Sequence, residues 1–264
     1  NDSFIGKPEN DPAVPLAFSM EVDGTPIEFS IPMIYKWTDP EKGELMRPFE
    51  VVPPIFLNLS QKVFVFPDKS QRTVDLLIKS ASGSALDAQV SLVLPEGWTS
   101  VPASMPIHLT KRGEELKASF QVTPGNTTGS LMMRAEAMIN GKRHRHALQT
   151  ISYDHIPFQT LLPEAEAKLV RTDIQKAGQL VGYVQGAGDE IPDALRNMGY
   201  EVWVMKDEEV TQANLRRLDA VVLGIRALNT NERIRHFMPD LLEYVKAGGT
   251  LITQYNTNGP LKAD

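Results

Sequence analysis

The decapeptide YVQGAGDEIP, residues 183–192, contains residue types that bind phosphate in many proteins. Gly186 and Gly188 follow an apolar segment and precede the start of a predicted helix, so backbone N–H groups could surround an anion there. Asp207 ends the next apolar segment about 20 residues later, where a dinucleotide-binding fold places the acid that holds a ribose. This spacing is the case for a nucleotide cofactor.

Three residues of the same loop argue against a phosphate site. Ile191 stands where the third glycine of the dinucleotide motif would be, and Asp189 and Glu190 occupy the predicted helix N-terminus. The free N–H groups of a helix start carry partial positive charge, and a carboxylate placed there satisfies that field and repels a second anion. We therefore expect Asp189 to be the N-cap, the glycines to form a tight turn, and no cofactor to bind in this region.

A second possible site lies where the predicted parallel strands end. Open α/β sheets bind ligands in the crevice at the carboxyl ends of their strands. Amide groups and one guanidinium there would suit a polar neutral ligand such as a sugar, and the alternative is that the asparagines only form loop turns. The candidate ligand-binding residues, in strand order, are Gly188, Asp189, Asp207, Arg226, Asn229, Gln254, Asn256 and Asn258.

The chain offers few residues for nucleophilic catalysis or metal binding. The chain has no cysteine, which removes thiolate nucleophiles, disulfides and Cys-ligated zinc together. It contains no G-x-S-x-G segment, and no two histidines stand four residues apart on a predicted helix. The histidines are His108, His144, His146, His155 and His236. No catalytic residue and no metal site are therefore expected in this region.

Composition narrows the class of protein. The chain has 264 residues, of which 42% are hydrophobic and 23% charged, and this length predicts roughly two globular domains. The net charge is −6 and the basic residues do not form an extended patch, so nucleic acid is not an expected partner. No apolar run approaches the roughly 20 residues that span a bilayer, so membrane insertion is not expected.

The second half of the chain alternates strand and helix patterns. Apolar segments at 179–186, 200–206, 219–225 and 250–256 alternate with helical patterns at 189–199, 211–218 and 232–247. Such alternation predicts right-handed crossovers and a parallel sheet that is covered on both faces. Residues 178–264 are therefore predicted to form a flavodoxin-like or Rossmann-like α/β domain, incomplete because only four strands are present.

The first half of the chain reads as β-structure. Short segments rich in β-branched and aromatic residues are separated by Gly, Pro, Asn and Ser, with no helical period between them. Strands at this spacing predict an immunoglobulin-like β-sandwich over residues 50–158, with Trp98 packed under the edge of the sandwich rather than stacked on a sugar. Residues 159–177 are interpreted as a linker to the α/β domain.

The N-terminal residues contain one copy of a partial internal repeat. Residues 18–40 and 135–157 each contain a strand, an Asp-Gly or Asn-Gly turn, a longer strand, and a tyrosine followed by Asp and Pro. Both segments resemble the closing hairpin of a sandwich, so residues 1–45 are predicted to be the tail of a preceding β-sandwich. A lone hairpin is marginal in water, and this one is expected to dock on the following sandwich or to donate its edge.

Five motifs are spread across nearly the whole chain: YKWTDPEKGELMRPFEVVPP, YDHIPFQTLLPEAEAKLVR, YVQGAGDEIPDALRNMGYEV, DAVVLGIRALNT and YVKAGGTLITQYNTN. Together they resemble the downstream region of large bacterial PIG-L (LmbE-like) deacetylases. In such proteins a zinc-dependent N-acetylglucosaminyl deacetylase domain precedes sandwich modules similar to the NPCBM-associated domain of α-galactosidases and a domain similar to class I glutamine amidotransferases. The resemblance implies a periplasmic or secreted protein whose partners are its own upstream deacetylase domain and a glycan.

The departures from that family's motifs decide what this region is expected to do. The deacetylase signature is absent, so the zinc site would lie in a deacetylase domain outside this region. An amidotransferase has its nucleophilic cysteine after the strand that corresponds to 250–256, where this chain reads Gln254-Tyr255-Asn256. The hypothesis is a non-catalytic accessory region of a glycan-active deacetylase. The alternative is a small-molecule-binding or hydrolytic α/β domain that uses Asp189, Asp207 and Arg226.

Overall fold

The computed structural model describes residue 6 and residues 11–263 and begins with two antiparallel hairpins. Asp23 and Gly24 have φ angles of 50° and 79°, as a type I′ hairpin turn requires, so the turn predicted from the Asp-Gly pair is confirmed. Part of the predicted tail, residues 1–5 and 7–10, lies outside the described residues. The four strands are β1 (Pro15–Val22), β2 (Thr25–Pro32), β3 (Ile34–Asp39) and β4 (Gly43–Pro48).

Two larger sheets form a β-sandwich. The first sheet has the strand order β5 (Ile55–Leu59), β7 (Arg72–Ser80), β11 (Glu115–Thr123), β9 (Thr99–Val101). The second has the order β10 (Ser104–Leu109), β8 (Leu86–Val93), β12 (Gly129–Ile139), β16 (Glu166–Arg171), β6 (Val63–Phe66), with β13 (Lys142–His144) paired to β12. A separate pair consists of β14 (Gln149–Ile151) and β15 (Gln159–Leu161).

The sandwich core follows from alternation along the strands. Val74, Leu76 and Ile78 of β7 are fully buried and belong to one cluster with residues of the opposite sheet, such as Met133 and Leu169. Burying each side chain of this size contributes about 1.5–3 kcal/mol relative to leaving it exposed. The prediction that Trp98 packs against the sandwich is confirmed, because its ring is buried and lies edge-on against Phe66 with ring centroids 4.9 Å apart.

The sandwich ends later than the sequence predicts. Strand β16 pairs antiparallel with β12 and parallel with β6, so it lies inside the second sheet, and β15 also falls within 159–177. The predicted boundary at residue 158 and the assignment of 159–177 as a linker are therefore wrong. The buried face of this segment consists of Ala165, Ala167, Leu169 and Arg171, and two alanines and an arginine at alternate positions give a weaker strand signal than β-branched residues.

The remaining residues form a four-stranded parallel sheet with connecting helices. The sheet order is β18 (Glu201–Met205), β17 (Leu180–Val184), β19 (Ala220–Leu223), β20 (Thr250–Thr253), and all three pairs are parallel. The helices are α1 (Ile191–Asn197), α2 (Gln212–Leu215), α3 (Ala227–Thr230) and α4 (Ile234–Lys246), with a 3-10 turn at Asp207–Glu209. None of the helices in the described part of the chain is long and apolar enough to cross a bilayer.

Helix α4 shows how the 3.6-residue period places its buried stripe. Ile234, Phe237 and Leu241 are buried as their spacing predicts, and Tyr244 continues the same line. Leu242 is 52% exposed because it lies about 100° around the helix from Leu241, outside the buried stripe. The Tyr244 hydroxyl donates to the Leu218 carbonyl at 3.2 Å, which ties this helix to the chain just before β19.

A polar contact joins the sandwich to the parallel-sheet domain. The half-buried guanidinium of Arg72 donates to the Val65 carbonyl within the sandwich, and it donates to the Asn197 carbonyl at 3.3 Å and to Asn197 Oδ1 at 3.2 Å. Lys176 also donates to the Gly199 carbonyl. Residues 172–179 are therefore not the sole connection between the two parts.

Replacing Arg72 by methionine is expected to loosen this contact while both parts stay folded. Hydrogen bonds to a charged group contribute about 1.5–3 kcal/mol, and methionine keeps the apolar stem but donates none of them. Limited proteolysis within 172–179 should become several-fold faster. The matched control is Lys69→Met, which removes an exposed cation nearby; an unchanged cleavage rate in the Arg72 variant contradicts the role of the contact.

Candidate functional site

The glycine loop after β17 is held against the loop after β19. Ala187 N donates to the Ile225 carbonyl at 2.8 Å, and Gly224 N donates to the Val184 carbonyl at 2.8 Å. A Cβ atom at Gly186 would lie 2.1 Å from the Ile225 carbonyl oxygen, so only glycine permits this approach. The loop is thus shaped by its contact with a neighbouring loop.

Glycine is needed at two further positions of these loops, for a different reason at each. A Cβ atom at Gly224 would lie 2.4 Å from the Tyr183 hydroxyl oxygen, so this glycine makes room for a buried tyrosine. Gly188 has open space around it but a φ of +105°, a conformation that side chains disfavour. The spacing that resembles a dinucleotide motif is accounted for by these contacts and this turn.

Asp189 is the centre of the hydrogen bonding at this edge of the sheet. Its Oδ1 accepts from the Tyr183 hydroxyl at 2.6 Å and from Ile191 N at 3.0 Å. Its Oδ2 accepts from Ile225 N at 3.0 Å and from Gln254 Nε2 at 3.3 Å. One carboxylate therefore joins the loops that follow the first, third and fourth strands of the domain.

The charge state of this cluster follows from those bonds. Partial burial alone would raise the pKa of the Asp189 carboxyl, but hydrogen bonds from Ile225 N, the Tyr183 hydroxyl and Ile191 N outweigh it and hold the pKa below its ordinary value. Burial raises the pKa of the Tyr183 hydroxyl well above its usual range, and the bond to Asp189 raises it further. At neutral pH an ionised carboxylate thus accepts from a protonated tyrosine.

The N-cap prediction for Asp189 is wrong by one residue. Helix α1 begins at Ile191, so Glu190 occupies the N-cap position, where its side chain makes no capping bond. The Asp189 carboxylate still accepts from the Ile191 N–H, but two neighbouring loops also donate to it. An acidic group therefore occupies the beginning of the helix, as expected, although its main contacts are distant in sequence.

The loops after β19 and β20 are tied together by amide side chains. Asn229 accepts from Thr257 N at 2.9 Å through Oδ1, and Asn256 accepts from Leu228 N at 3.1 Å. Arg226 has a left-handed backbone, with φ 57°, and its backbone N–H donates to the Tyr255 carbonyl at 2.7 Å. These side chains make loop contacts of the kind that the alternative interpretation of the asparagines describes.

The remaining predicted residues differ in how far their side chains are exposed to solvent. The Arg226 and Asn258 side chains are exposed, whereas Gln254 is half-buried and bonded to Asp189. The structure thus brings Asp189 and Gln254 into one cluster, and Asn229 and Asn256 into another. Ligand binding by these residues stays a prediction.

Asp207 lies apart from both clusters, at the end of β18. Its Oδ1 accepts from Asn231 Nδ2 at 2.9 Å, and Arg233 Nε lies 3.9 Å from its Oδ2. An open cleft of about 490 Å³ is found here, between the ends of β17 and β18 and helix α3. Its lining includes Gln185, Gly186, Lys206, Asp207, Thr230 and Asn231.

Sequence reasoning missed most of the residues that line this cleft. Asn229 and Asn231 stand two apart in one polar segment, but the short helix α3 turns them in different directions, so one contacts Thr257 and the other Asp207. A helical pattern over four residues is too short to be recognised from sequence. The polar composition of the segment 229–231 was the only available signal.

No protein-family model and no curated protein matches this chain. Solved structures resemble part of it. WR4, a member of the MSP family of C. elegans, is 12% identical, with a TM-score of 0.27, and the alignment covers 44% of this chain and 98% of that one. The human F-spondin reeler domain is 11% identical, with a TM-score of 0.26 and coverage of 47% and 91%.

A protein of unknown function from Porphyromonas gingivalis W83 is also similar. It is 15% identical, with a TM-score of 0.28, and the alignment covers 52% of this chain and 61% of that one. Likenesses at these scores carry no argument about activity. The β-sandwich rests on the two sheets and their shared core, and the chemistry of the site rests on its own contacts.

What the site can bind depends on which polar side chains still have hydrogen-bonding groups available to a ligand. The Asp189 carboxylate already accepts four hydrogen bonds, so a ligand would have to displace a protein donor to reach it. The Asp207 side chain is 27% exposed and faces the cleft beside amide and hydroxyl groups. This second arrangement can accept and donate hydrogen bonds to a polar molecule.

Proposed function

We propose that this region is a non-catalytic accessory part of a glycan-active N-acetylglucosaminyl deacetylase, which it supports or positions. The observation that carries the proposal is the saturation of the Asp189 carboxylate by four donors from three loops. A general base or nucleophile needs a lone pair that can reach the substrate, and this carboxylate uses its oxygens to hold the sheet edge together. The part of the predicted crevice around Asp189 is thus occupied by hydrogen bonds between its own loops.

The residues after β20 also support a non-catalytic domain. In the amidotransferase family that the chain resembles, this position carries the cysteine nucleophile, and here Gln254 donates to Asp189 while Asn256 donates to the Gln254 carbonyl. Neither amide is a nucleophile of the kind that forms a thioester. The similarity to amidotransferases is proposed to be one of fold only.

The strand order supports the finer description of both domains. The order β18-β17-β19-β20 corresponds to the first four strands of a flavodoxin-like sheet. The sandwich, whose strand pairs are all antiparallel except β16 with β6, has two sheets of unequal size and suits an immunoglobulin-like module. The zinc chemistry would belong to a deacetylase domain upstream in the same polypeptide, and the resemblance implies a periplasmic or secreted location.

A direct assay tests the absence of catalysis. The 264-residue region is incubated with an N-acetylglucosamine oligosaccharide and, separately, with glutamine, and acetate and ammonia are measured. We expect neither product from this region, whereas the full natural polypeptide with zinc should release acetate. Turnover by the region alone contradicts the accessory role, and a full polypeptide without deacetylase activity contradicts the link to a deacetylase.

The open cleft beside Asp207 favours a second candidate function, binding of a small polar molecule. It lies at the carboxyl ends of β17 and β18, where ligands of parallel sheets bind, and its carboxylate keeps partial exposure. NAD and ATP belong in the same ligand screen because Asp207 occupies the position of a ribose-binding acid.

Thermal shift measurements with Asp207→Ala and Asn231→Ala test this cleft. A ligand at 100 times its dissociation constant stabilises the protein by about 2.7 kcal/mol, and either substitution should remove most of that shift. Asn258→Ala is the matched control, since this exposed amide follows β20 at the same edge of the sheet and is not part of the cleft lining. No shift with sugars, NAD or ATP removes the candidate.

A further inference from the structure

One face of the hairpin β1–β2 is apolar except for Thr25, which pairs with Val22 next to the turn. The register pairs Phe18 with Phe29 and Met20 with Ile27, so the large side chains of both strands lie on the same side. The two phenylalanine rings stack with centroids 5.2 Å apart. This surface, here called the hairpin face, is 37–50% exposed at every position and consists of Leu16, Phe18, Met20, Val22, Ile27, Phe29 and Ile31.

The hairpin face is exposed in the part of the chain that the structure describes. Among those residues, no third strand pairs with either edge of the two-stranded hairpin, and the expected docking on the following sandwich is not seen. A two-stranded hairpin is marginal in water, and contiguous exposed apolar patches mark interaction sites in soluble proteins. The polar residues Ser19, Glu21, Glu28 and Ser30 lie on the opposite side of the strands.

The internal repeat identifies what such a face packs against. Asn140 and Gly141 form the turn between β12 and β13 with φ angles of 48° and 77°, the same pattern as Asp23 and Gly24. Counting back from each turn, the hairpin-face positions of β1 correspond to alternate residues of β12. These are Val22 and Ile139, Met20 and Ala137, Phe18 and Ala135, Leu16 and Met133.

The β12 members of those pairs are in the sandwich core. Met133, Ala135 and Ala137 are fully buried in the cluster that includes the opposite sheet, and Ile139 packs against it. Strand β12 also has β8 on one edge and β16 on the other. Within residues 11–263, the equivalent positions of the hairpin β1–β2 have neither an opposite sheet nor further flanking strands. The correspondence with β12 therefore points to a sheet of a β-sandwich as the partner of this face.

We propose that the hairpin face closes a second β-sandwich, whose other strands belong to the same natural polypeptide on the N-terminal side of the hairpin. A second copy of this chain fits less well, because its hairpin has only the same two strands and a net charge of −6 on each copy opposes association. The inference shares with the proposed function the premise of a longer polypeptide, and it assigns the surface that joins this region to the preceding module.

Hydrogen exchange of β1 and β2 tests the proposal. Amides of both strands are compared in the 264-residue chain and in the full natural polypeptide. We expect slower exchange in the full polypeptide by about a hundredfold or more, since packed strands open only with their module. The double variant Phe18→Ser and Phe29→Ser should abolish that protection, whereas Glu28→Gln, on the opposite side of β2, should retain it.

Four outcomes overturn the proposal. They are equal exchange in the two polypeptides, a natural polypeptide with no β-sandwich before the hairpin, a dimer of the 264-residue chain that the double variant disperses, and binding of this face to phosphatidylcholine vesicles. The near-ultraviolet circular dichroism of the following sandwich should be unchanged in both variants, which shows that they remain folded. Acetate release is measured separately, so failure here is distinguishable from failure of the proposed function.

Discussion

Replacing Asp189 by alanine is expected to lower the free energy of unfolding of the parallel-sheet domain by about 3 kcal/mol. The substitution leaves the buried Tyr183 hydroxyl and the Ile225 N–H without their acceptor, and an unsatisfied buried group costs about 1–3 kcal/mol. It also removes the link from the first loop to Gln254. The loss is a large part of the roughly 5–15 kcal/mol that stabilises a typical domain.

Urea-dependent hydrogen exchange of peptides covering β17 and β19 measures this loss within the domain. The matched control is Glu190→Ala, because the neighbouring carboxylate is exposed and makes no capping bond; it should change stability by less than about 0.5 kcal/mol. Equal effects of the two substitutions would show that the Asp189 carboxylate is not needed for the fold and is free for another role.

The contribution of the Asp189 carboxylate to stability should depend on pH. The pKa of Asp189 is lower in the folded domain than the value of about 3.9 in an unfolded chain. Its stabilisation is therefore fully present above that unfolded value and is lost as the pH falls through the lower folded value. The difference between the natural protein and Asp189→Ala should shrink over this acidic range and stay constant at neutral pH.

Gly186→Ala is expected to have the second large effect, a destabilisation of about 3 kcal/mol or more. Its Cβ atom would lie 2.1 Å from the Ile225 carbonyl oxygen, and a backbone atom cannot move aside without breaking the contact between the two loops. The same exchange experiment on β17 and β19 measures the effect.

Two other glycines separate crowding from backbone strain. Gly188→Ala has open space but a φ of +105°, so it should cost about 1–2 kcal/mol. Gly83→Ala meets nothing within 4 Å and has no positive φ, and should be nearly neutral. If Gly186→Ala is tolerated as well as Gly83→Ala, the loop is free to move and could still adapt to a phosphate.

Strong local signals account for the parts of the fold that the sequence predicts. Val74, Leu76 and Ile78 alternate with polar residues, and the Asp-Gly and Asn-Gly pairs mark both type I′ turns. The spacing of Ile234, Phe237 and Leu241 predicts the long helix. Strand β16 gives a weak sequence signal because Ala167 and the preceding Ala165 form half of the buried face of this segment, and alanine has little preference for strands.

The site was only partly predictable because its contacts are distant in sequence. The glycines, Asp189 and the five polar positions after the last two strands were found from their place after apolar segments. Which donor each would meet was not, since Ile225 and Gln254 are 36 and 65 residues from Asp189. Sequence gives the hydrogen-bonding groups of a side chain, and only the fold selects their partners.

The late position of β16 has a consequence for synthesis of the protein. Val63 in β6 pairs with Lys168 in β16. Strand β6 therefore cannot pair with β16 until about a hundred further residues have been synthesised. At about 5–20 residues per second, the ribosome delivers that neighbour roughly 5–20 seconds after β6 has emerged. Throughout that interval the nascent sandwich has an open edge, at which a chaperone can act before the next domain begins.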